Sequence, residues 1–209
     1  LFFLWVTGRR REVGIGYGWT MRITFGLMAA GGVAVGVLFE PQPVRDTFGA
    51  LMLGATMVAL GVSAVRRKAG VTGQRGTEER RTARVAAMTG IDKDAQTFSD
   101  GPEFPAHLDL LAPLLGVVAL VAGGIHAGHP AWLSVARVLI GALFLGAISD
   151  AMLLGHWYLV QPGLARGPLI ELVWWSGLLW PFELAVLLWP TGMVSVLNGT
   201  IADGYNGML

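Results

Sequence analysis

Five stretches of the chain, 18–39, 47–65, 107–127, 131–160 and 167–189, come close to or exceed the roughly 20 apolar residues that an α-helix needs to cross a bilayer core. This length and spacing leave one fold class: an all-α, polytopic transmembrane helix bundle forming a single domain over 1–209. The first eight residues read as the last turns of a further span, giving five complete spans and part of at least one more. Composition agrees, with 54% apolar and 14% charged residues, where a soluble domain carries about 25% charge. Most of the surface therefore meets lipid or other membrane subunits, and no nucleic-acid partner is expected.

Charge sets the orientation. Thirteen of the fifteen Lys and Arg residues fall on one side of the serpentine: Arg9, Arg10, Arg11, Arg22, the eight bases between positions 66 and 93, and Arg166. Arg45 and Arg137 are the exceptions. The positive-inside rule makes the basic side cytoplasmic, with the loop 66–106 inside and the turns at 40–46 and 127–130 outside. Trp19, Trp132, Trp157 and Trp189 stand near span ends, where an amphipathic ring favours the headgroup level. The Ala-, Gly-, Val- and Arg-rich wording suits a high-GC bacterium, so the bacterial inner membrane is the expected location.

The loop 66–106 is long, and 77–88 within it reads as a surface helix with Thr77 as N-cap. It is either a basic solvated segment near anionic lipid or a docking site for a soluble partner. Gly32 and Gly36 form a GxxxG pair, and Ala142, Gly146 and Asp150 recur at a spacing of four. Such stripes let helix backbones approach closely where lipid supplies no hydrophobic drive. The tail 191–209 reads as an external segment leading toward a further span.

Cysteine is absent, so a metal or redox centre within the chain would rest on histidine or carboxylate. His107 opens one span and His156 nearly closes the next, which brings two imidazoles to the same level of adjacent antiparallel helices. A b-type haem needs that arrangement, one axial nitrogen on each side of the porphyrin. Arg166 could meet a haem propionate or a quinone oxygen, and Asp109 and Glu171 lie near the same level. Against this stands the interfacial-anchor reading of His156-Trp157-Tyr158. His126 and His129 sit at an external turn and share a helical face only if the helix passes Gly128.

Intramembrane ionisable residues are costly unless paired or hydrated, so each is a functional hypothesis. Asp150 lies roughly two turns short of the cytoplasmic end of its span. Glu183 follows Pro181, which removes a backbone donor and favours a kink. For both, a proton or ion path competes with packing by hydrogen bonds. Nucleotide-binding, zinc-protease and serine-hydrolase signatures are absent. Asn198-Gly-Thr200 matches a glycosylation acceptor of little meaning in a bacterium.

The run Gly155-His-Trp-Tyr-Leu-Val-Gln-Pro162, with Asp203-Gly-Tyr-Asn-Gly207, resembles a set of uncharacterised bacterial multi-pass membrane proteins that extend further at both ends. The resemblance implies a family motif around His156 and carries no activity. The expected function is that of an integral membrane subunit of a larger bacterial assembly, concerned with electron transfer or respiration and linked to haem b or quinone. The chain suits a non-catalytic subunit better than a self-contained enzyme. Two alternatives stand beside it, a small-molecule or ion permease using Asp150 and Glu183, and a non-catalytic scaffold or assembly subunit.

Overall fold

The computed structural model describes residues 1–69, 71–90, 102–161 and 164–189. The expectations for Pro162, the tail 191–209, the Asn198-Gly-Thr200 acceptor and the Asp203-to-Gly207 motif, together with positions 91–101 of the loop, fall outside the described residues. Within them the chain is helical, without strands: α1 (Phe2–Gly8), α2 (Ile15–Phe39), α3 (Pro43–Val65), α4 (Thr72–Thr89), α5 (Leu111–Ala127), α6 (Ala131–Val160) and α7 (Gly167–Leu188). Short 3-10 turns at Arg67–Ala69 and Ala106–Leu110 flank the loop. Five helices are long and apolar enough to cross a membrane, the third counted from Ala106 to Ala127. Exposed Leu27, Leu38, Leu114, Leu145 and Trp174 face outward as lipid-contacting residues do.

The ends follow local chemistry. The external turn read over 40–46 gives way at Pro43, which starts α3 four residues ahead of the span read from hydropathy. Its fixed φ suits a first helical position and its missing N–H is no loss there. The Gln42 side chain accepts from Arg45 N at 2.5 Å, and Asp46 Oδ2 accepts from Gln42 N at 2.8 Å, so the first turn is capped from both directions. α4 begins at Thr72, five residues before the expected Thr77 cap, and stops at Gly90 in the left-handed region (φ 69°). α5 ends at Ala127, so His129 is beyond it, and His126 Nδ1 meets the Ala122 carbonyl at 2.8 Å. Pro181 sits inside an unbroken α7.

Helices pack in the order α2–α3–α5–α6–α7, with α1 against α6, α7 and the 3-10 turn at Ala106–Leu110. The short α1 is the most deeply buried element: Phe3, Leu4, Val6 and Thr7 are nearly inaccessible and form the core with Tyr17, Met21, Leu154 and Leu172. Phe3 meets Trp175 edge-on at 5.9 Å. Arg9 and Arg10 both bind Glu171 at the start of α7, and Arg11 approaches Glu103 at 3.5 Å. These ion pairs place the ends of α1, α5 and α7 at one basic end of the bundle.

The glycines do other work than their spacing suggested. Gly124 lets α6 approach α5 so closely that a Cβ there would lie 2.8 Å from the Val135 Cα. Gly49 performs that role between α3 and α2, against Val33 at 2.9 Å. Gly32 of the GxxxG pair meets nothing within 4 Å, and Gly36 faces the Arg45 guanidinium. On the α6 stripe, Gly146 receives Phe3 and Asp150 is buried, but Ala142 is exposed.

Candidate functional site: a buried polar cluster at the basic end

Three spans and α1 converge near the basic end on a set of polar groups that lipid alone could not hold. Arg22 of α2 is 4% exposed and Asp109, just ahead of α5, is 5% exposed. They form a two-bond fork, Nε to Oδ1 at 2.9 Å and Nη2 to Oδ2 at 2.7 Å. The third nitrogen, Nη1, reaches Ser63 Oγ of α3 at 3.3 Å, and Trp19 Nε1 donates to the same oxygen at 2.7 Å. The guanidinium carbon lies 4.3 Å from the Phe104 ring centroid. Gly18 leaves the room: a Cβ there would stand 2.8 Å from Nη1. Planar guanidinium and carboxylate match in this geometry, which is why arginine tolerates such burial.

A cavity of about 40 Å³ adjoins the pair, lined by Arg22, Asp109, Thr7, Gly18, Tyr17 and Phe104 among others. One water needs roughly 10–15 Å³ of such space and two to four polar partners, so the cavity can hold ordered water. Tyr17 links it to Asp150. The phenol donates to Asp150 Oδ1 at 2.7 Å, and its ring meets Trp157 edge-on at 5.8 Å, which fixes its direction. Asp150 is 1% exposed, and its second oxygen, Oδ2, has no hydrogen-bond partner among the described residues. Thr7 stands beside this carboxyl, with its hydroxyl proton directed to the carbonyls of Leu4 at 2.9 Å and Phe3 at 3.1 Å.

Glu183 occupies the other half of the membrane domain. Its carboxylate lies against Gly141 of α6, with Oε1 3.5 Å from the place a Cβ would take, and its buried Oε2 is unpartnered among the described residues. Arg137, one turn away, instead donates to the Val186 carbonyl at 2.8 Å and Leu187 at 3.4 Å. Gly141 and Asp150 are nine residues apart on α6, roughly 13 Å at ~1.5 Å per residue, so the two acids belong to separate sites.

The two histidines of the expected pair, His107 and His156, both lie on exposed positions. His107 is exposed on the 3-10 turn before α5, and His156 is exposed on α6, its Nδ1 meeting the Met152 carbonyl at 2.8 Å. No hydrogen bond or ion pair joins them to each other or to Arg166, which is exposed at the start of α7. Neither ring lines the cavity beside Arg22. Asp109 and Glu171, read as neighbours of that pair, are committed elsewhere, to Arg22 and to Arg9 and Arg10. Among the described residues no three His, Asp or Glu side chains cluster as metal ligands.

Tyr17, Thr7, Ser63 and the Arg22–Asp109 fork are the groups that sequence reasoning missed. One signal was available for the fork: an arginine one turn inside a span calls for a partner of similar depth on another span, and Asp109 opens the only other span with an acid near its basic-side start besides Glu171. Comparison of the chain with protein-family models, curated proteins and solved structures finds no match.

Proposed function

We propose that the chain is an integral membrane subunit of a larger assembly in the bacterial inner membrane, in which Asp150 accepts and releases a proton delivered from the basic, cytoplasmic face. The observation that carries this reading is the half-satisfied carboxyl: Asp150 is 1% exposed, Oδ1 is held by Tyr17 and Oδ2 has no hydrogen-bond partner among the described residues. A packing carboxylate would have both oxygens engaged, because an unpaired buried charge is far more costly than a paired one. The surroundings hold one oxygen only: Tyr17 donates to Oδ1, and Thr7 stands beside the carboxyl with backbone carbonyls of Phe3 and Leu4 within reach of its hydroxyl.

The 40 Å³ cavity would serve as the path to the face: exposed Arg11 lines it together with Tyr17, which hydrogen-bonds Asp150. The Arg22–Asp109 pair contributes polar groups to the lining of that cavity. A proton or ion meeting a group inside the membrane is common to the respiratory-subunit and the permease readings of the sequence.

Infrared difference spectroscopy of the reconstituted protein across a pH series tests the proposal. A protonated-carboxyl C=O band that disappears as pH rises, is absent in Asp150→Asn and shifts in Tyr17→Phe supports it. A wild-type protein without a titrating band assigned to Asp150 overturns it.

A further inference from the structure

A second cavity, of about 310 Å³, lies in the half of the bundle remote from Asp150, between α2, α3, α5 and α6. Its walls are almost wholly aliphatic, including Ala29, Gly32, Gly49, Leu120, Gly123 and Val138, with Met52 beneath and Arg45 and Asp46 at the polar mouth. The Met52 sulfur lies over Gly116 of α5, where a Cβ would stand 2.8 Å away. Water gains nothing in such a space, which is many times the size one molecule needs but offers polar partners only at one end. Left empty, it would cost the lining atoms their dispersion contacts.

Arg45 is built into the mouth. Its stem passes Gly123, with Cδ 3.4 Å from the place of a Cβ, and its guanidinium rests on Gly36 at 2.8 Å. Nε donates to Asp46 Oδ1 at 2.8 Å and Nη2 to the Glu40 carbonyl at 2.5 Å. Nη1 makes no hydrogen bond among the described residues. Arg45 thus lines an aliphatic slot with one of its donors unspent among the described residues. Gly32 is exposed on the flank of α2 while also lining the cavity, so the slot is open sideways toward lipid.

We propose that this cavity is a binding site for one aliphatic chain of a membrane amphiphile, whose acceptor headgroup, a carboxylate or phosphate, meets Arg45 Nη1. The chain enters from the bilayer past Gly32, where it has no water to shed, and replaces the contacts an empty slot lacks. Phospholipid and free fatty acid share this chemistry.

The test places the protein in nanodiscs carrying either a phospholipid or a free fatty acid with a photoactivatable diazirine in the chain, and maps the crosslinks by mass spectrometry. Labelling of Leu120 and Val138 in either arm, competed away by excess unlabelled amphiphile while labelling of lipid-facing Leu27 persists, is the expected result, and the labelling arm identifies the source. Gly32→Leu should abolish the cavity label and spare the Leu27 label. A Cβ at Gly32 meets nothing within 4 Å, so the substitution adds bulk at the cavity's lining without a clash at its root. Cavity residues that stay unlabelled in both arms, or that label without competition and equally in Gly32→Leu, overturn the proposal. The competition in wild-type protein decides the question independently of how the variant folds.

Discussion

Removing one partner of the Arg22–Asp109 fork should destabilise the protein far more than removing both. Arg22→Met keeps the length of the side chain and leaves Asp109 5% exposed and without its two donors at 2.9 and 2.7 Å. Breaking a buried pair in this way costs about 3–5 kcal/mol. On the scale of soluble domains of this size, each kcal/mol moves Tm by about 2–4 °C, so the midpoint should fall by roughly 6–20 °C. The double variant Arg22→Met/Asp109→Leu strands no charge, and replacement of a whole buried pair is often neutral or stabilising. Ser63 keeps its bond from Trp19 in that background. Thermal unfolding of the wild type, both single variants and the double variant, followed by tryptophan fluorescence in one detergent, closes a double-mutant cycle. A loss below about 1 kcal/mol in Arg22→Met, or a double variant as unstable as the summed singles, would refute the reasoning, since independent sites add and coupled ones do not.

Three further outcomes are expected. Tyr17→Phe removes the 2.7 Å hydrogen bond to Asp150 Oδ1 and should lower stability by about 1–3 kcal/mol, the usual cost of a stranded buried acceptor, measured by the same fluorescence assay; Tyr17→Phe combined with Asp150→Leu should recover part of it. Gly124→Ala places a methyl 2.8 Å from the Val135 backbone, which cannot yield as a side chain can, so about 1–3 kcal/mol should be lost, whereas Gly61→Ala, open on all sides, should be silent. Because the chain has no cysteine, single substitutions report sidedness directly: exposed Lys68→Cys should be shielded from an impermeant thiol reagent in intact cells and Pro41→Cys should react, and the reverse would invert the orientation.

Span placement was legible because it depends on runs of consecutive apolar residues. The reading of 131–160 coincides with α6, and 167–189 passes the end of α7 by one residue. The start of α3 lies ahead of its apolar run because Pro43 initiates the helix, which hydropathy alone does not register. The polar cluster was illegible for another reason. Arg22 and Asp109 are 87 positions apart and Tyr17 and Asp150 are 133 apart, and no local pattern encodes which helix faces meet. Arg22 had been counted among interfacial bases and Trp19 among interfacial anchors, but Trp19 serves Ser63. Asp150 was singled out correctly as a buried acid, since depth follows from position within a span. The partner that holds it follows from packing.

The fork and the pairing of α3 with α5, the most extensive between any two helices, both join the chain across the loop that carries α4. The covalent link there is thus accompanied by a complete non-covalent one. A gene cut between α4 and the turn at Ala106–Leu110 would yield two polypeptides with matching faces, one bearing Arg22 and Ser63, the other Phe104 and Asp109. Expressed together, they should find each other in the membrane, because loop closure contributes only a slowly varying entropy. Expressed singly, each would carry an unmatched charge at membrane depth and should be cleared by proteolysis. Divisible as a gene, the domain is indivisible as a folded object, and each half depends on the other for its survival.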